Sequence, residues 1–124
     1  MAKAEIILGE SGGSSDFFSW ENNEITSSGW DTHTISYNIA DINKITVEGY
    51  YYVGYETAKT TQTFDLTQDV TTITLTYTYS SYTDSRIVVV DKTNRTVTFQ
   101  NGKNNIGNED AKAAIPLWFC VFKI

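Results

Sequence analysis

The chain has 124 residues, 40% of them hydrophobic, with eight Tyr, six Phe and three Trp, and a net charge of −6. That length holds one core and excludes a second domain of ordinary size, and the apolar content excludes general disorder. The acidic balance, without any run of Lys or Arg, excludes phosphate-backbone binding, so no nucleic-acid partner is expected. The single cysteine, Cys120, leaves no internal disulfide and favours folding in a reducing compartment. The N-terminus lacks the apolar stretch and cleavage site of a secretory signal. The longest apolar run, residues 115–122, is far short of the roughly 20 residues of a membrane span, so no membrane insertion is expected and synthesis is placed in the cytoplasm.

In chain order, residues 3–8 (KAEIIL) form a first expected strand, followed by a Gly/Ser-rich linker over 9–15. Residues 16–21 (DFFSWE) and 30–39 (WDTHTISYNI) are the next strands, separated by turn signals at Asn22-Asn23 and Ser27-Ser28-Gly29. Residues 43–53 (NKITVEGYYYV) alternate Ile45 and Val47 with polar partners, and Gly49 inside that strand predicts a bulge or a close backbone approach. A strand at 60–66 leads into 70–79 (VTTITLTYTY), where Thr72, Thr74, Thr76 and Thr78 alternate with Ile73, Leu75 and Tyr77. That period of two is the strongest strand signal in the chain, with the threonines predicted outward. Residues 80–85 are expected to be a connection, and 86–90 a central strand because it is apolar on both faces. Residues 91–95 are a hairpin loop and 96–100 its return strand, with Val97 and Phe99 inward. Residues 108–114 (NEDAKAA) predict one helical turn with Asn108 as N-cap, and 115–124 the last strand. The whole is a single all-β domain over 1–124, an antiparallel β-sandwich, jelly-roll-like, of eight or nine strands. Residues 1–15 are a candidate anchoring strand plus linker.

No chemistry-bearing motif stands against its ordinary structural use. Gly9-Glu10-Ser11-Gly12-Gly13 has the spacing of a nucleophile elbow, but a strand follows where that motif needs a helix, so a flexible linker is the reading. His33 has no second histidine to share a metal, and the acidic loops lack a calcium-loop pattern. With no cofactor loop and no acid–base pair, an enzyme is not expected. Two groups remain. Tyr50, Tyr52, Tyr55 and Trp30 form a candidate aromatic platform for a surface glycan, since aromatic rings pack on the apolar faces of sugars. The last strand is apolar on both faces, which makes Leu117, Trp118, Phe119, Phe122 and Ile124 candidate self-association residues.

The segment AEIILGESGGSS, the opening INKITVEG, the hairpin VVVDKTNRTVTFQNG and the closing aromatic strand together resemble small structural proteins of tailed bacteriophages, the head-decoration, tail-fibre and baseplate β-domains. The resemblance implies a virion component, assembled in the host cytoplasm without export. It further implies a symmetric homo-oligomer, a trimer favoured, in contact with other virion proteins. The N-terminal segment would anchor to the particle, and the β body would face outward toward the host surface. A carbohydrate-binding module using the Tyr50 to Tyr55 region is the alternative reading.

Overall fold

The computed structural model describes residues 17–124. The expected strand at 3–8 and the linker at 9–15 lie outside the described residues. Eight strands follow in order: β1 Phe17–Glu21, β2 His33–Ser36, β3 Lys44–Tyr52, β4 Lys59–Asp65, β5 Val70–Tyr79, β6 Tyr82–Asp91, β7 Thr96–Lys103 and β8 Ala113–Phe122. They form two antiparallel four-stranded sheets, β1-β8-β3-β4 and β2-β7-β6-β5, stacked as a β-sandwich. The order departs from a jelly roll's, because β3–β4 and β5–β6 pair locally within one sheet instead of being exchanged between sheets.

The alternation in β5 is realised. Ile73, Leu75 and Tyr77 are buried, whereas Thr72, Thr74, Thr76 and Thr78 are exposed. β6 lies between β5 and β7, as its apolar run predicts, and turns Val88 and Val90 into the core. Rings join the two layers. Trp20 of β1 stacks on Phe119 of β8 at 5.4 Å and on Phe99 of β7 at 5.7 Å. Each such pair adds about 0.5–1.5 kcal/mol beyond the area it buries. Gly49 meets both expectations: the β3–β8 register slips between Glu48 and Gly49, and a Cβ there would stand 2.5 Å from the Ile115 carbonyl oxygen.

Three elements differ from expectation. The connection after β5 is only Ser80-Ser81, with Tyr79 paired directly to Tyr82. Ser80 adopts a φ of 57°, the left-handed conformation that a two-residue hairpin turn demands. Serine is a weak signal for that geometry beside Gly or Asn, which is why the hairpin is hidden in the sequence. The strand expected over 30–39 is confined to His33–Ser36, because Trp30 and Tyr37 leave the ladder to fill the core.

The helical turn expected at 108–114 is absent. Residues 108–112 form turns and a bridge from Lys103 to Glu109, and β8 begins at Ala113. The reason is Arg86. Its side chain is 1% exposed and donates Nε–H to Ala114 O (2.9 Å), Nη1–H to Gln100 O (2.8 Å) and Trp30 O (3.2 Å), and Nη2–H to Ala113 O (2.9 Å) and Ala111 O (3.3 Å). Those five acceptors satisfy every N–H of the guanidinium. Three belong to residues 111–114, and the guanidinium, with Trp30 N–H on Ala111 O, ties that segment to the start of β8 and the first long loop. That electrostatic demand outweighs the helix propensity of three alanines, which is worth less than 1 kcal/mol per residue. Two further features fit the clamp. A bulge in β7 at Gln100-Asn101, opposite Ile87, aims the Gln100 carbonyl at Arg86. Gly102 lets the 110–114 segment run alongside β7, since a Cβ there would lie 2.2 Å from Ala113 O.

Burial pulls the Arg86 pKa down to about 10, while Asp31, Tyr77 and Asp110 oppose the shift, so the group is charged at neutral pH. Replacing Arg86 by Met strips the donors from five carbonyls, and Arg86→Lys offers only three donors without the planar fork. Urea unfolding is expected to show a loss of roughly 3 kcal/mol or more for Arg86→Met, with Arg86→Lys intermediate.

Candidate functional site

The two sheets leave a pocket of about 300 Å³ at one end of the sandwich. Three hairpin regions build it. The end of β3 and the turn after it supply Tyr51, Tyr52 and Tyr55, the β5–β6 hairpin supplies Tyr79, Tyr82 and Asp84, and the β7–β8 loop supplies Asn104, Asn105 and Asp110. Gly54 at φ 99° allows the tight turn that brings Tyr55 back, with Tyr55 N–H donating to Tyr52 O at 2.9 Å. The tyrosines form one continuous group. Tyr51 stacks on Tyr79 at 5.8 Å, Tyr55 lies 4.8 Å from Tyr79, and Tyr51 meets Tyr55 edge-on at 5.6 Å. Tyr55, Tyr79 and Tyr82 are 42%, 46% and 50% exposed, so their faces are open to a partner.

The two carboxylates differ. Asp110 is saturated: Oδ2 accepts from the Tyr52 hydroxyl at 3.0 Å and Oδ1 from the Lys112 backbone N–H at 3.0 Å. Asp84 is fully buried, and neither oxygen makes a hydrogen bond of good geometry. It lies two residues from Arg86 on the inward face of β6, yet it receives nothing from it, because all five guanidinium donors are committed to carbonyls. Burial pushes the Asp84 carboxyl up to about 6, the Asp110 charge adds to this, and the Asn105 backbone draws it partly back. Burial first, and then the bond to Asp110, raise the Tyr52 phenol, so it remains a proton donor.

The expected site residues divide. Tyr52 and Tyr55 line the pocket. Tyr50 (2% exposed) and Trp30 (4%) are core residues, which corrects their place in the platform. Tyr50 pairs with Ile115 beyond the β3–β8 slip and packs in the main core cluster, and Trp30 contacts both Trp20 and the Arg86 guanidinium. Tyr51, Tyr79, Tyr82 and Asp84 escaped the sequence reading. Their readable signal is an Asp at the inward parity of a strand whose other inward residues are Arg86, Val88 and Val90.

The expected self-association residues divide too. Phe119 lies in the core between the sheets, and Leu117 packs against both apolar clusters. Trp118 and Phe122, with Cys120 and Phe17, form a small cluster on the other side of the strand. Trp118 Nε1–H donates to Glu48, and Trp118 and Phe122 are 7% and 4% exposed within a single chain. β8 sits between β1 and β3 in its sheet, with one face in the main core and the other in the small cluster. Ile124 alone of the five is largely exposed, at 78%.

Other chemistry is quiet. His33 faces Glu24 at 3.0 Å and stacks on Trp30, the neighbour-satisfied role expected of it. Burial pushes the Cys120 thiol up to about 12, far from a reactive thiolate. Among the described residues no cluster of three metal-ligating side chains occurs, and no helix is long and apolar enough to cross a membrane. A larger concavity of about 490 Å³ is lined by polar residues of β5, β6 and β7, but its Asn101 carbonyl oxygen already accepts from Thr32 N–H and Oγ1–H. Comparison with protein-family models, curated proteins and solved structures finds no match to this chain.

Because the folded pKa of Asp84 is raised above its ordinary 3.8, folding takes up a proton between the two values. The ionised group therefore destabilises the fold by about 1–2 kcal/mol above pH 6, solvent at the pocket screening part of the shift, and the penalty vanishes below the unfolded value. Asp84→Asn is expected to be more stable than the parent by about that amount near pH 8. Denaturant melts at a series of pH values should show the advantage shrinking toward zero near pH 3.5.

Proposed function

We propose that this domain is a non-catalytic recognition module whose tyrosine pocket binds a saccharide. The observation that carries the reading is the group of exposed tyrosine rings around carboxylate and amide acceptors. Flat π faces suit the C–H faces of a pyranose, and Asp84 and Asn105 line the same pocket as polar partners for hydroxyls. Isothermal titration against the best hit of a glycan array is the test. Tyr55→Ala, Tyr79→Ala and Tyr82→Ala are each expected to weaken binding by about 0.5–1.5 kcal/mol, and Tyr50→Phe in the core should change nothing. No glycan bound, or rings that can be removed without loss, would sink the proposal.

A second reading, a decoration or fibre domain of a phage-type virion, is favoured by where the chain enters. β8 runs from Ala113, paired with Tyr52 beside the pocket, to Phe122, paired with Phe17. Ten residues of strand separate these two ends by about 30 Å. Attachment through the segment before Phe17 would thus hold the opposite pole, with the tyrosines, outward toward a host surface glycan. Light scattering of the purified chain should then show a symmetric oligomer, a trimer favoured. A clean monomer at high micromolar concentration would count against the assembly part.

A further inference from the structure

We propose that the tyrosine pocket selects sugars carrying a free amine, whose ammonium group sits against Asp84. The inference rests on the saccharide reading and adds the charge of the ligand to it.

Asp84 is a fully buried carboxylate in the pocket lining, with no hydrogen bond of good geometry on either oxygen and only the Asn105 backbone drawing on its charge. The nearest candidate for a counter-ion, Arg86, cannot turn toward it without abandoning five carbonyls. Among the described lining residues two are carboxylates and none is a cation. The lysines with assigned partners are engaged elsewhere: Lys44 with Asp65, Lys123 with Asp41 and Lys92 with the Leu66 carbonyl. An uncompensated buried charge is disfavoured unless something supplies the missing partner. Among the described residues that line the pocket no cation supplies it.

The walls narrow the supplier further. Tyr51, Tyr55, Tyr79 and Tyr82 line the pocket, and aromatic rings attract a cation more than a neutral group. A carboxylate behind such rings suits an ammonium that can donate to both oxygens while its flanking carbons pack on the tyrosines. A neutral hydroxyl could donate one hydrogen bond but would leave the charge uncompensated. An N-acetyl group would replace the cation by a neutral amide. Asp110 already accepts from the Tyr52 hydroxyl and the Lys112 amide, so Asp84 is the carboxylate with more unmet acceptor capacity.

The test is calorimetric titration of the intact chain with a glucosamine tetramer, its fully N-acetylated counterpart and a glucose tetramer, all at physiological salt. The glucosamine tetramer is expected to bind about ten-fold or more tighter than either neutral tetramer. Asp84→Asn should bring the three within about two-fold of one another. Asp41→Asn removes one unit of charge from an exposed site far from the pocket lining, at a left-handed backbone position that asparagine tolerates. It should leave the preference intact. Neutral tetramers bound as tightly as glucosamine would overturn this inference and leave the saccharide reading standing. Binding of none of the three, with no hit on a glycan array, would remove both. Equal loss in Asp41→Asn and Asp84→Asn would mark the preference as bulk charge attraction and overturn the inference. The comparison of sugars on the unaltered chain decides the matter even where Asp84→Asn does not fold.

Discussion

Arg86 is a full positive charge inside an otherwise apolar sandwich, and much of the local structure follows from how that charge is solvated. A buried guanidinium without a carboxylate needs as many well-placed acceptors as it has donors. The chain meets this need with backbone alone: the Trp30 carbonyl after the first long loop, the bulged Gln100 carbonyl of β7, and three carbonyls from residues 111–114. The Trp30 ring lies 5.6 Å from the guanidinium carbon and adds a cation–π contact. One side chain therefore joins the β1–β2 loop, the β7 bulge and the entry to β8. Gly29 and Gly102 serve the same junction, because a Cβ on either would strike the backbone of residues 111 or 113.

The same commitment creates the pocket's chemistry. On the inward face of β6, Asp84 and Arg86 are two residues apart, the spacing at which neighbours on one face of a strand point the same way. An ordinary fold would pair them. Here the arginine is consumed by carbonyls, and the aspartate is left unpaired at the mouth of the sandwich, ringed by tyrosines from two hairpins. A group that weakens the fold at neutral pH while lining an aromatic cavity has the character of a binding residue, since strain of this kind concentrates at functional sites. The pocket and Phe17 lie toward opposite ends of β8.

The fold was legible where local pattern and burial agree. The threonine alternation of β5, the two-faced apolar run of β6 and the Asp91–Arg95 hairpin all follow from residue periodicity and turn chemistry, and the Asp91 carboxylate accepts from the Thr93 and Asn94 amides as such loops require. Gly49 announced its bulge. The candidate site was only half legible. Tyr52 and Tyr55 belonged to an aromatic run that any reading would single out. Trp30 and Tyr50 belonged to it equally well and proved to be core. A ring's burial depends on bulges and loop paths that one-dimensional spacing does not carry.

By itself the sequence determined the class of object: an acidic, single, disulfide-free all-β body with a polar threonine wall and a twice-apolar final strand. Those properties depend on period-two patterning, composition and charge, which are local or additive. Tertiary structure alone decided which sheet each strand joins, that NEDAKAA is a turn and not a helix, and that Asp84 faces a tyrosine pocket unpaired. These outcomes turn on contacts between residues far apart in the chain. Arg86 reaches carbonyls 14 to 56 residues away, and no propensity of alanine, aspartate or tyrosine records where a distant guanidinium will spend its hydrogen bonds.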